Sequence, residues 1–472
     1  MVNKSIAVIG AGPAGLTAAY KLAQKGVKAT VYEADSAVGG MAKTISLWGQ
    51  LVDLGPHRFF SSDPRVNNIW LEMARSDYSM VSRLTRIYYK TTFFNYPLRA
   101  ANALRGLGLL EAMRCVLSYA KAVLAPIKDE STFEAWVTNR FGARLFQIFF
   151  KSYSEKLWGI SCRELDADFA AQRIKKFSLF EAIRTALVGS GGQSKHKTLV
   201  DEFAYPNKGA GAVYQRMAER IIALGGEVKL QTPVAAVRPG EKPVVKLESG
   251  EEIVFDHVIS SMPITWLVRQ MDAPQEVRDH VAALKFRNTI LVYLRLACPS
   301  PFSDQWIYVH SPELKTGRIS NFQNWVPSIN NGSTETIICL EYWCYDQDSI
   351  WSRGNNELVA LAIRETYGTS LVPDGAIREG KVVRLPRCYP VYSTGYKAHL
   401  DSVEKFLSSQ PGVTAIGRYG AFKYNNQDHS ILMGLLAAEN VIDGAKHNLW
   451  AVNTDYEYQE SSKIIATGLV KV

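Results

Sequence analysis

The chain has 472 residues, 47% hydrophobic and 21% charged, with 54 Lys and Arg against 45 Asp and Glu for a formal net charge of +9. That length buries a sizeable core in two or three structural units, and the cationic excess is scattered, which sets aside a nucleic-acid-binding arm or basic helix. Cys115, Cys162, Cys298, Cys339, Cys344 and Cys388 form no C-x-x-C pair and the eight histidines are dispersed, so no metal centre is expected and the thiols read as reduced cysteines of a cytoplasmic protein.

The amino terminus, MVNKSIAVIGAGPAG, enters a folded motif directly, without an apolar leader region. Ile6 to Ile9 read as a buried strand and Gly10-Ala11-Gly12-Pro13-Ala14-Gly15 as a tight turn. A helix follows to about Lys25, then a second strand from Ala29 to Tyr32, ending at Glu33. The three glycines serve a tight turn, close approach of backbone to a pyrophosphate, and close helix–strand packing. The helix start offers unpaired N–H groups and a positive dipole end. Glu33, 23 residues after Gly10, stands where a carboxylate accepts the hydroxyls of an adenosine ribose; this suits FAD or NAD and disfavours NADP. Ala34 is taken with it as a cofactor contact, and Gly39-Gly40-Met41 brings backbone to the ligand a second time.

Residues 100–200 are helix-rich, with apolar spacing around Leu109–Leu124 and Phe133–Phe150. Within them LLEAMRCVLSYAKAVLAPIK (109–128) is interrupted by Glu111, Arg114 and Lys121. It is too charged to span a bilayer, and an amphipathic helix packed on the protein is expected rather than one lying on a membrane. Residues 205–239 read as glycine turn, helix and strand, with Val234 and Val237 along the adenine side of the dinucleotide. Segments around 285–298, 305–310, 317–322 and 335–343 alternate or run apolar, as in a second sheet. Last, a strand Val413–Ile416 leads into GRYGAFKYNNQDHSILMG (417–434), which crowds Arg418, Lys423, Asn425, Asn426, Gln427, Asp428 and His429 between glycines. A helix is expected from about Ser430, with Asp428 capping its start. So many polar groups in so short a stretch call for a large polar ligand.

The Gly39-Gly40 extension resembles FAD enzymes of the glutathione-reductase type. Six segments, in order across roughly residues 5 to 445, resemble the UDP-galactopyranose mutase family, nearer its eukaryotic-type branch, within the FAD-dependent amine oxidase and protoporphyrinogen oxidase-like superfamily. DLGPHRFFSS carries His57 as the loop histidine under the flavin. YSEKLWGI carries Trp158 in the uracil-site region, and FAAQRI carries Arg173 on the substrate side. GRISNFQNWVPSINN carries Arg318 and CYPVYSTGY carries Tyr389, both toward a diphosphate; GRYGAFKYNNQDHS carries Arg418 and Tyr424, with Asn426 and Gln427 beside the flavin. Phe60, Ser61 and Ser62 depart from the polar residue the family often has after the loop histidine.

The resemblance implies an α/β fold with α+β insertions. A Rossmann-like FAD-binding domain of the glutathione-reductase type would be discontinuous, over 1–95, 203–265 and 405–450. A helical insertion at 96–202, a substrate-side antiparallel or mixed β-sheet domain at 266–404 and a tail at 451–472 would complete it. It implies non-covalent FAD, active when reduced, contacted by Gly10, Gly12, Pro13, Ala14, Gly15, Glu33, Ala34, Gly39, Gly40, Met41, His57, Val234, Gly417, Arg418, Asn426, Gln427 and Ser430. Trp158, Arg173, Arg318, Tyr389, Tyr424 and Asn426 would take a nucleotide sugar, a UDP-hexose, with Arg318, Arg418, His57, Tyr389 and Tyr424 in catalysis. The implied reaction interconverts pyranose and furanose forms through a covalent flavin–sugar adduct, with an external reductant and no net redox change. The competing reading is an amine oxidase-like or protoporphyrinogen oxidase-like oxidoreductase on the same scaffold; a third is a non-catalytic flavin-binding protein. No nucleic-acid partner and no integral membrane segment are expected.

Overall fold

The computed structural model describes residues 4–96, 98, 100–168, 202–453, 462–465 and 468–471. Ile6, Ala7 and Val8 are fully buried and Ile9 nearly so, because their strand, Ser5–Ile9, has neighbours on both edges and helices on its faces. It is the centre of a five-stranded parallel sheet in the order Val413–Ala415, His257–Ser260, Ser5–Ile9, Lys28–Tyr32, Glu227–Lys229. A parallel sheet covered on both faces needs continuous apolar strands, and this is what the sequence shows there. Pro13 opens the helix Pro13–Gln24, where its missing N–H costs nothing. That helix packs between Gly211–Ala223 and the long carboxyl-terminal helix Gln427–Asp443.

A second, seven-stranded sheet runs in the order Ile377–Pro390, Phe286–Leu296, Thr336–Cys344, Arg318–Asn321, Trp306–Val309, Thr85–Tyr89, Thr92–Asn95. All its neighbours are antiparallel except Trp306–Val309 with Thr85–Tyr89, so the sheet is mixed. Two features differ from the reading of the sequence. The strands between 85 and 95 join this second sheet rather than the first unit, and the 14-residue strand Ile377–Pro390, outside the apolar segments expected to form it, supplies an edge. The chain is thus a mixed α/β fold with a parallel sheet and several further sheets.

Helices Ala100–Leu107, Leu109–Leu124, Phe133–Phe141 and Ser152–Trp158, with a π-helical turn over Phe146–Lys151, make up the helical unit. The Leu109–Leu124 helix is amphipathic, but its orientation reverses the expected one. It buries Ala112, Cys115 and Ala122 and leaves its large apolar side chains outside. None of the described helices is long and apolar enough to cross a membrane.

Candidate active site

A cavity of about 1100 Å³ runs from the first glycine turn to the second sheet. At one end lie Gly10, Gly12, Pro13, Ala14, Glu33, Ala34, Gly40, Met41 and Val234; at the other, His57, Arg318, Tyr389, Arg418, Tyr424, Asn426, Gln427 and Ser430. Gly417 lines the passage between them. The cofactor and diphosphate residues expected from four distant segments therefore share one space. Val237 is fully buried beside Tyr32 and does not line it.

The dinucleotide end is built for close approach. Gly10 has φ +95°, and a Cβ there would stand 2.3 Å from Ser261 Oγ. A Cβ on Gly15 would stand 2.0 Å from the Gly10 carbonyl oxygen, so Gly15 shapes the turn and does not line the cavity. Gly39 donates its N–H to the Ala11 carbonyl at 2.8 Å, tying the two glycine segments together. The Pro13–Gln24 helix has no side-chain cap, which leaves its first N–H groups for an anion. Glu33 Oε2 accepts from Ala11 N at 2.6 Å and Oε1 from Asp35 N at 2.9 Å. Each oxygen keeps a second lone pair for a ribose hydroxyl. These residues fit an adenine dinucleotide.

At the far end, Gln427 holds the His57 loop. Its Nε2 donates to the His57 carbonyl at 2.9 Å, while its Oε1 accepts from Tyr214 Oη at 2.6 Å. The capping residue of the last helix is Asn426, paired reciprocally with His429, so the helix begins at Gln427 and Asp428 lies inside its first turn. This corrects both the expected start at Ser430 and the expected cap. Asn426 wins because its carbonyl and side chain are already committed to the first turn when the chain leaves Tyr424.

Tyr389 and Tyr424 stack at 5.5 Å between centroids, and the Arg418 guanidinium lies over both rings, at 4.9 and 4.4 Å. Arg418 donates Nε to the Cys388 carbonyl and Nη1 to the Asn425 carbonyl, each at 2.8 Å. Arg318 forms a bidentate pair with Glu341 through Nε and Nη2, both at 2.6 Å. The open guanidinium forks expected for a phosphate are therefore occupied by the protein, leaving each arginine one terminal nitrogen with no hydrogen bond among the described residues. His57 sits within reach of both cations and donates Nε2–H to the Leu54 carbonyl at 3.2 Å. Burial chiefly, with the Arg418 and Arg318 charges, pushes its pKa down to about 4, so it is neutral at ordinary pH.

Trp158 does not line the cavity. It is fully buried behind the tyrosines, with its ring 6.2 Å from Tyr389, 6.3 Å from Tyr392 and 5.8 Å from Tyr424. Tyr392 is likewise structural, accepting the Tyr424 N–H at 2.7 Å. Arg173 lies outside the described residues. Sequence reasoning missed Glu341, Tyr153, Tyr308 and His310, all of which line the cavity. Tyr153 stacks on His310 at 4.9 Å, and burial pushes His310 down to about 3. The cavity wall beyond them is apolar: Phe133, Phe141, Leu145, Phe149 and Phe150.

A family model for flavin-containing amine oxidoreductases matches residues 13–365. The chain belongs to that family. As a member it is a flavoprotein with FAD as its cofactor, which accounts for the dinucleotide end of the cavity. Among individual relatives, coproporphyrinogen III oxidase of Mycobacterium bovis is 26% identical over 451 residues, 88% of this chain and 92% of that one. A probable UDP-galactopyranose mutase of Klebsiella pneumoniae is 26% identical over 188 residues, 38% of this chain and 47% of its own length. Protoporphyrinogen oxidase 2 of Arabidopsis thaliana is 41% identical over 67 residues, only 14% of this chain and 13% of that protein. The solved structure of reduced UDP-galactopyranose mutase superposes with a TM-score of 0.85 at 20% identity, covering 96% of this chain and 97% of that one. A putative protoporphyrinogen oxidase from Exiguobacterium gives 0.72 at 18% identity, over 94% and 100%. At such identities the superpositions speak for the fold and leave the reaction open.

Proposed function

We propose that this flavoprotein interconverts the pyranose and furanose forms of a nucleotide-linked hexose, with FAD held non-covalently and used in its reduced state. The observation that carries this reading is the convergence of Arg318, Arg418, Tyr389 and Tyr424 at the far end of the FAD cavity. Reduced flavin supplies a nucleophile for the anomeric carbon. The chain's own part is to hold the sugar nucleotide and stabilise the diphosphate as its negative charge grows. Two cations fixed by Glu341 and by two carbonyl groups suit that task, because they need not reorganise as the bond breaks. Two phenols add donors without further positive charge. The likeness to a probable UDP-galactopyranose mutase supports the same substrate class.

A specific observation favours a second reading. The apolar wall from Phe133 to Phe150, with the nearly full-length likeness to coproporphyrinogen III oxidase, suits an FAD oxidase acting on a large macrocyclic substrate. Anaerobic incubation of dithionite-reduced enzyme with UDP-galactopyranose separates the two. The mutase reading expects a furanose product from reduced enzyme and none from oxidised enzyme. Oxygen uptake and peroxide release with a porphyrinogen, and no furanose from any nucleotide sugar, would replace it with the oxidase.

A further inference from the structure

The outer face of the Leu109–Leu124 helix is apolar and exposed, with no described residue covering it. Leu110 is 72% exposed, Leu117 70% and Leu124 85%, and Leu109, Met113, Val116 and Val123 are at least 48% exposed. Leu110, Met113, Leu117, Ala120 and Leu124 follow a 3-4-3-4 spacing, and Leu109, Val116 and Val123 recur every seven residues beside it. Together they form one continuous stripe along the whole helix. The inward side carries small residues, Ala112, Cys115 and Ala122, which let the helix lie close on the protein. A stripe of this kind is normally buried.

We propose that this face docks on an anionic lipid surface, with the helix lying in the plane of the interface. Charge decides the occupant. Arg114 and Lys121, seven residues apart, run along one edge of the stripe, and exposed Lys128 follows just beyond the helix. An antiparallel pairing with a second copy would set that cationic edge against itself. A parallel pairing would set it against Leu109, Val116 and Val123, with no acid to answer it. The acids nearby are answered within the protein: Glu111 lies between Arg114 and Arg144, two cations to one acid, so the edge stays cationic, and Glu130 is held by Arg140. Asp129 is exposed, and it accepts the Ser131 N–H. An apolar stripe edged by cations is the arrangement of a helix seated among anionic headgroups. At 16 residues the helix is about 24 Å long, too short to span a bilayer. Beneath it Cys115 packs in one cluster with Ile148 and Phe149, and Phe149 lines the active-site cavity, so docking would set that cavity beside the membrane.

The test uses the full-length, FAD-loaded protein and sedimentation with vesicles. One set is phosphatidylcholine alone; the other holds equal parts phosphatidylcholine and phosphatidylglycerol. Pelleting with the anionic vesicles is expected, reduced by added salt, and weakened about fivefold by Lys121→Gln. The double variant Leu117→Glu/Leu124→Glu should abolish pelleting while its flavin content stays that of the parent, because both side chains are in solvent. The proposal is overturned if the parent ignores anionic vesicles, or if the double variant still pellets. It is also overturned if light scattering shows a parent dimer that the double variant dissociates while no vesicle binds, which would assign the face to a second copy.

Discussion

Arg318 and Glu341 have to be considered together. The arginine side chain is 13% exposed and the glutamate 1%, and they face each other directly across two strands. Removing the arginine strands a buried carboxylate, which typically costs about 3–5 kcal/mol. Arg318→Ala should therefore lower the melting temperature markedly as well as weaken nucleoside diphosphates. Arg318→Lys is the more informative variant: it keeps the charge for Glu341 and loses the terminal nitrogen that Glu341 leaves for a ligand. It should retain flavin while binding UDP about tenfold more weakly, since a charge-assisted contact is worth roughly 1.5–3 kcal/mol. Calorimetric titration with UDP reads this directly, and an unchanged affinity in the lysine variant would remove Arg318 from the ligand site. Arg418→Ala differs in kind, because that side chain also pins Cys388 and Asn425. Flavin content should fall together with UDP affinity.

Two helices meet at the cofactor through a glycine that no motif singles out. A Cβ on Gly434 would stand 2.3 Å from the Ala14 carbonyl oxygen and 2.9 Å from Thr17 Cβ. The Gln427–Asp443 helix can lie against Pro13–Gln24 only because that position is bare. Both helix starts border the FAD cavity, one through Ala14 and the other through Gln427 and Ser430. Gly434→Val should push the helices apart and yield protein with a reduced flavin-to-protein absorbance ratio, even where circular dichroism shows the helices intact. Full flavin occupancy in that variant would mean the contact does not set the cavity. The same helix shows what a string of residues leaves open. Its polar run 425–429 marks a ligand, yet the position of its first turn depends on Asn426 and His429 closing on each other.

At the scale of the whole molecule, burial sets the response to acid. Burial lowers His57 and His257 to about 4 and His310 to about 3, from an ordinary 6.5. Between those values the unfolded chain takes up protons that the folded protein refuses, so stability falls as pH drops from about 6.5 toward 4. Asp53, pushed up to about 6 by burial, acts in the opposite sense, losing stability as pH rises from 3.8 to about 6, and Asp166 and Glu404, also raised by burial, act with it. The three histidine shifts outweigh these carboxyls and predict a net fall in melting temperature on acidification through this window. His257→Gln, remote from the cavity, should make that fall shallower; a melting temperature that rises on acidification would refute the burial account. Flavin contributes at this scale as well. Acid should release FAD intact, and returning it at about a hundred times its dissociation constant should restore roughly 2.7 kcal/mol. Flavin that stays on the denatured chain would exclude non-covalent binding.

The glycine turn, Glu33 and the Arg418–Tyr424 string are legible in the sequence because each places its chemistry within a few residues of its scaffold. A strand, a turn and a helix start fix their own geometry, and contiguous residues cannot drift apart. Glu341, Tyr153 and His310 carry no such mark. They meet Arg318 and the cavity through strand pairing and packing between segments far apart in the chain, and pairing partners are not written in local spacing. The Leu109–Leu124 helix makes the same point from the other side. Its periodicity declares an apolar stripe, but periodicity is blind to direction. Only the packing of Ala112, Cys115 and Ala122 against the protein decides that the stripe faces outward.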